Sequence, residues 1–229
     1  RRGQRIVTLK REAMPLAGRR PILVTGSHRS GTTWAGRMLS LNKSVGYLSE
    51  PFKPTHNPCF TRWFAYVCDD NAQEYAEHLR QVLSFRHSLV GPLRQGATAG
   101  DVRRRTSKVL RRGLKMAYSR AAARRPLMKD PIAVFSVAWL ARAFDMDVLV
   151  LVRHPAAFAG SLKVKGWTFD FDNLLRQPLL MRDKLGPFRD EMEALRDSRA
   201  DVIDQAGLLW RMIYQTVLED VAEHPNCVV

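Results

Sequence analysis

The segment Gly26-Ser27-His28-Arg29-Ser30-Gly31-Thr32-Thr33 sets two glycines around four residues, behind an apolar run and ahead of a helix-compatible one. Two glycines let the backbone turn so that several N–H groups converge on one point. A helix starting near Thr32 adds the positive end of its dipole there, so the ligand such a loop suits is an oxyanion. The nucleoside triphosphatase form of the loop needs Lys directly after the second Gly to reach the β- and γ-phosphates, and Thr32 stands at that place. A cation sits inside the loop instead, at Arg29, where it can face the atom bridging the two groups of an anhydride. The plain alternative is a Gly-rich strand-to-helix turn with no ligand.

Three other clusters carry chemistry. Arg153-His154-Pro155 leaves a continuous apolar run and is followed by Ser161 near the start of a helix. Arg offers a forked, permanently charged donor to a phosphate and Ser adds a hydroxyl, although an Arg at a strand end is by itself more often a surface residue. Glu50 ends a short strand candidate, where it serves either as a general base or as a neutraliser of Arg29 or Lys53. Lys129-Asp130-Pro131 ends another, and Asp130 is best read there as a cap at a helix start. His28, His56 and His154 share no spacing and read as loop histidines rather than catalysts.

Thr25 to Trp34, centred on Arg29-Ser30-Gly31-Thr32-Thr33-Trp34, resembles the 5′-phosphosulfate loop of sulfotransferases that use 3′-phosphoadenosine-5′-phosphosulfate (PAPS), and Arg153 with Ser161 resembles their 3′-phosphate element. The resemblance implies that Ser27, His28, Arg29, Ser30, Gly31, Thr32, Thr33 and Trp34 line the nucleotide, that Arg153 and Ser161 hold its 3′-phosphate, and that no metal is required. Relatives with Arg in the loop, such as tyrosylprotein sulfotransferases, place a Glu base after the second strand and a Lys-Asp-Pro cation at a later strand end. Glu50 and Lys129 match those places. Sulfuryl transfer is mainly positioning and charge stabilisation in an in-line displacement. Arg29 would then stabilise the leaving phosphate oxygen, Glu50 take the acceptor's proton, and Lys129 hold the sulfuryl oxygens. The similarity runs from about Pro21 to Val229 and brings no counterpart for the helical insertion.

Positioning these residues requires strands and helices in a definite order. Pro21–Thr25 reads as a strand, with a helix after it spaced by Trp34, Met38 and Leu41. Val45–Leu48 reads as a second strand, Thr61–Ala123 as a helical insertion, Pro126–Lys129 as a third strand and Val134–Phe144 as a helix. Val148–Val152 is a run suited to a strand buried on both faces, Val202–Val221 a late helix, and Asn226–Val229 the following strand. The expected fold class is therefore α/β, a three-layer sandwich with a mostly parallel sheet, P-loop NTPase-like, with ligands beyond the carboxyl ends of the strands. Trp34 has two readings, beside adenine or in the core, whereas Trp63, Trp139, Trp167 and Trp210 are read as packing. For Trp167, after Lys163, Lys165 and Gly166, a place bordering nucleotide or acceptor is the second reading.

The 229 residues, 45% of them apolar, suit one domain over 1–229. Its net charge of +15 is partly local, since Arg103 to Arg125 holds ten Lys or Arg and no acid. Such charge attracts nucleic acid, anionic surfaces, glycans and nucleotides alike. Cys59, Cys68 and Cys227 are too few and too irregular for a disulfide framework or a zinc site. No run reaches the roughly 18 to 20 apolar residues of a membrane span, so a cytoplasmic, soluble protein is expected. A chain that opens Arg1-Arg2-Gly3 and stops at Val229 is also expected to be cut at both ends, which leaves an upstream signal or anchor open.

Two other functions compete. A P-loop kinase or hydrolase would find a magnesium-binding Asp in Asp130 but lacks the loop Lys. A non-catalytic nucleic-acid module would use Arg103, Arg104, Arg105, Lys108, Arg111, Arg112 and Lys115 along one helix face, but no interleaved aromatics accompany them. The same segment, 103–125, also suits peripheral contact with anionic surfaces. The acceptor, whether glycan, lipid, peptide or small alcohol, leaves no readable code.

Overall fold

A computed structural model describes residues 20–86, 99–197 and 200–229. Arg1-Arg2-Gly3, residues 87–98 of the expected insertion, and the side chains of Arg103, Arg104, Arg105 and Lys108 lie outside the described residues. In chain order the elements are β1 (Ile22–Gly26), α1 (Thr32–Leu39), β2 (Val45–Ser49), α2 (Ala72–Leu83), α3 (Ala99–Ala121) and β3 (Arg125–Lys129). A 3-10 turn (Pro131–Ser136) leads into α4 (Val137–Phe144), then β4 (Asp147–Leu151) and α5 (Pro155–Lys165). Short α6 (Asp172–Leu175) and α7 (Pro178–Leu180) precede α8 (Arg189–Asp197), α9 (Val202–Ala222) and β5 (Cys227–Val228).

The five strands form one sheet in the order β2-β3-β1-β4-β5, and every described pairing is parallel. Helices cover both faces, so the predicted α/β sandwich is present, all-parallel rather than mostly so. The strand order reverses at β1, which has β3 on one side and β4 on the other; in open parallel sheets that is where ligands bind.

The two faces are covered unequally. Leu23, Leu48, Met128, Val148 and Val150 point into a large core closed by α4, α5 and α9, whereas Val24, Val45 and Leu127 meet α1 through Ala35. In α9, Leu208, Leu209, Met212, Ile213 and Val217 are buried, and side chains of this size contribute about 1.5–3 kcal/mol each when removed from water. Its N-terminus is capped by Asp201, whose carboxylate accepts from Ile203 N–H at 2.9 Å.

Three expectations need correction. α1 forms where predicted, but Trp34, Met38 and Leu41 face outward, and its buried residues are Thr32, Ala35 and Gly36. Small residues are needed because α1 lies close to the sheet: a Cβ on Gly36 would meet Tyr47 at 3.0 Å and Lys129 at 3.2 Å. Leu149 and Leu151 of β4 are only partly buried, so that strand is not covered on both faces. The segment Thr61–Asn71 is irregular rather than helical because side chains take over its backbone groups. Tyr66 N–H donates to Gln177 Oε1 and Val67 N–H to Ser136 Oγ, both at 2.9 Å. The Asn71 amide donates to Tyr66 C=O, also at 2.9 Å.

Candidate functional site

Register brings the motifs together. Gly26 at the end of β1 is paired with Leu151 at the end of β4, so the Gly-rich loop and the Arg153 segment leave the sheet side by side. Gly26 has φ 135°, and a Cβ there would stand 2.3 Å from the Leu151 carbonyl oxygen, so only glycine fits. Ser49 of β2 is likewise level with Lys129 of β3, and Glu50 N–H donates to the Lys129 carbonyl at 2.8 Å. Arg29 and Glu50 both leave their strands with positive φ, at 65° and 52°, a conformation uncommon for residues other than glycine that tends to occur at functional sites.

The loop is braced from behind. Tyr214 of α9, fully buried, accepts from Ser27 N–H at 3.1 Å, shares a hydrogen bond with Ser27 Oγ at 2.9 Å and donates to Leu151 C=O at 2.8 Å. One turn earlier, Trp210 Nε1 donates to Arg153 C=O at 2.8 Å. Ser27 thus faces α9 rather than open space. Gly31, at φ 95°, begins α1, and Thr32 is buried beneath the loop while Thr33 and Trp34 lie exposed. The Ser30 hydroxyl is turned inward without a hydrogen-bond partner.

The two phosphate motifs meet across 124 to 132 residues of chain: Arg153 donates to the Arg29 carbonyl at 2.6 Å, and Arg29 Nε donates to Ser161 Oγ at 3.1 Å. His154 caps α5 by accepting from Ala156 N–H at 3.3 Å, consistent with a loop role.

On the opposite side, Glu50 hydrogen-bonds the ammonium of Lys129 and lies 3.4 Å from Lys53 Nζ. Burial pushes the Glu50 carboxyl up, but Lys129 and then Lys53 outweigh it and hold it below the usual glutamate range. Lys129 is 3% exposed and, unlike Glu50, does not line the cavity of the site. Asp130 is fully buried, and its carboxylate accepts from Phe52 N–H at 2.7 Å and Ile132 N–H at 3.1 Å. Burial pushes its pKa up to about 7 against those two donors. Both oxygens are thus occupied by backbone, as a cap requires.

Between the two sides opens a cavity of about 1000 Å³ lined by His28, Arg29, Gly31, Thr32, Thr33, Trp34, Arg37, Glu50, Lys53 and Arg153, with an aromatic wall of Trp63, Phe64, Trp167 and Phe169 and with Asp170 and Asn173 beyond. His28 packs edge-on against Phe158 with ring centroids 5.2 Å apart; burial, then the Arg29 charge, lower its pKa to about 4. A neutral imidazole therefore stands among the cations.

Trp34 is 71% exposed at the rim, which removes its core reading. Trp63 also lines the cavity, against the packing expected of it, and Trp167 does so in keeping with its second reading, under Lys53 at 5.6 Å and Arg29 at 6.0 Å respectively; Trp139 is core as expected. Sequence reasoning missed Tyr214 and Trp210 as supports. Their signal was two polar-tipped aromatics four residues apart in an apolar helix, each needing a buried partner.

No curated protein and no solved structure gives a significant match. The sequence model of the Sulfotransferase family matches residues 21–224, from the start of the first strand to the end of α9, and the chain accordingly belongs to the sulfotransferase family.

Proposed function

We propose that this sulfotransferase takes its sulfuryl group from PAPS and transfers it in line to a hydroxyl or amine of an acceptor. The observation that carries the reading is the meeting of the two phosphate motifs at Arg29, Arg153 and Ser161 beside one cavity. The loop N–H groups and the α1 N-terminus receive the 5′-phosphosulfate, and Arg153 with Ser161 receives the 3′-phosphate. Ser161 Oγ can keep accepting from Arg29 Nε while its hydroxyl donates to that phosphate, which leaves the terminal nitrogens of the Arg29 guanidinium for the bridging oxygen. Trp34, exposed at the rim, offers a face to adenine.

In the transfer, the bond from sulfur to the bridging phosphate oxygen breaks as the bond from sulfur to the acceptor atom forms. Arg29 stabilises charge on the departing phosphate oxygen, and the acceptor proton passes to Glu50. With its pKa held low, Glu50 is ionised at neutral pH and takes the proton only once bond formation to sulfur has acidified it. Lys129 acts mainly by positioning Glu50, which narrows the role expected of it. A kinase reading has less support: Thr32 replaces the loop Lys, and both Asp130 oxygens are engaged by backbone N–H groups.

Calorimetric titration tests this with 3′-phosphoadenosine-5′-phosphate beside ATP and magnesium. The 3′-phosphorylated nucleotide should bind more tightly, with Arg153→Ala weakening it at least about tenfold and Ser161→Ala less. Tighter binding of ATP with magnesium, or indifference to both substitutions, would overturn the proposal.

A further inference from the structure

Helix α3 lies against the edge strand β2 by one face only. Met116 packs on the core and Ser119 is buried, while Leu110, Leu114 and Tyr118 remain 63%, 64% and 60% exposed. At helical spacing these three fall within an arc of ~80°, opposite the packed face. All three stay mostly open to solvent, although apolar side chains in a row usually mark a surface that something else covers. Arg111 and Lys115 follow on one flank, and Arg124 lies over the Tyr118 ring with its guanidinium carbon 4.6 Å from the centroid. The helix sequence holds eight Lys or Arg against the single acid Asp101.

We infer that α3 is a membrane-docking helix, which lies in the plane of an anionic lipid surface with Leu110, Leu114 and Tyr118 among the acyl chains and Arg111 and Lys115 on the headgroups. The charge decides the occupant: a shallow apolar stripe bordered by cations complements a surface that is apolar beneath a layer of phosphates. A nucleic acid would use the cations but leave the stripe exposed to water. No helix among the described residues is long and apolar enough to cross a membrane. Helix α3 packs against β2, the strand that leads into Glu50 and so to the Glu50–Lys53 end of the cavity. Docking through α3 would bring that end close to the headgroup layer.

Vesicle co-sedimentation of the full chain tests the inference, comparing phosphatidylcholine alone with phosphatidylcholine containing about one-third phosphatidylserine. Binding should require the anionic lipid and decline with salt. Leu110→Asp with Leu114→Asp should lower it at least about tenfold, at unchanged melting temperature and unchanged binding of 3′-phosphoadenosine-5′-phosphate. Arg111→Ser with Lys115→Ser, which leaves the stripe intact, should also lower it about tenfold. The inference is overturned by equal binding to both vesicles, by binding that survives the Leu substitutions, or by light scattering that shows a dimer which those substitutions dissociate. Retention on generic DNA without vesicle binding would reassign the helix to nucleic acid.

Discussion

At the exit of β1 the chain half-buries a base, His28, and at the exit of β3 it fully buries an acid, Asp130. Burial disfavours charge of either sign, so the imidazole falls to about 4 and the carboxyl rises to about 7. The surroundings differ accordingly. His28 is set among aromatic rings, with Tyr214 holding the neighbouring Ser27, so the β1 exit is held without buried charge. The β3 exit keeps a charge inside, since Lys129 stays buried and depends on Glu50. The brace under the Gly-rich loop thus consists of the neutral hydrogen bonds of Tyr214, and the proposed proton-accepting side rests on an ion pair, so the two sides should fail differently when cut.

The largest effect is expected at the charged exit. Glu50→Gln should lower kcat about a hundredfold or more while leaving nucleotide affinity nearly unchanged. Glu50→Ala strands the Lys129 ammonium and should cost about 3 kcal/mol in urea unfolding. Lys129→Met should cost less, because Lys53 remains near the carboxylate; equal costs would show that the pair is not asymmetric.

At the neutral exit a smaller change is expected. Tyr214→Phe removes the partner of the Ser27 N–H and hydroxyl and of the Leu151 carbonyl, with a stability loss of about 1–3 kcal/mol. Because it loosens the loop itself, nucleotide affinity should fall with stability. A stability loss at intact affinity would show that Tyr214 does not shape the loop.

The smallest effect separates the exits by pH. Asp130, raised in the folded state, contributes stability below its unfolded value near 4 that is lost as pH rises through about 7. His28, lowered in the folded state, contributes stability above 6.5 that is lost as pH falls toward 4. Between pH 7 and 5, wild type should therefore gain stability relative to Asp130→Asn on acidification and lose it relative to His28→Leu. Parallel slopes in the two difference curves would refute the comparison.

Much of the fold was legible in the sequence because parallel strands announce themselves as short apolar runs at the right intervals. β1, β3 and β4 fall within a residue or two of their expected bounds. The facing of α1 was not legible. Periodicity groups Trp34 and Met38 on one side of α1 as surely as it groups Leu209, Met212 and Ile213 in α9, yet only the second group turns inward. What reversed α1 is its close approach to the sheet at Gly36, which sequence periodicity does not record. The irregular stretch after Thr61 escaped for a similar reason, since Ser136 and Gln177, which take its hydrogen bonds, lie far along the chain.

By itself the sequence determined which groups are available: the Gly26–Thr33 loop with Arg29 in place of a Lys after its second Gly, the Arg153 and Ser161 pair, and the carboxylate of Glu50. These are properties of residue type and short spacing, which a linear chain carries without folding. Only the tertiary structure decided that Arg153 meets Arg29, that Lys129 is held by Glu50, that the second oxygen of Asp130 goes to Phe52 N–H, and that Tyr214 stands under the loop. Each of these depends on strand register and on helices packing across the sheet, contacts between residues tens to nearly two hundred positions apart whose geometry no local pattern encodes.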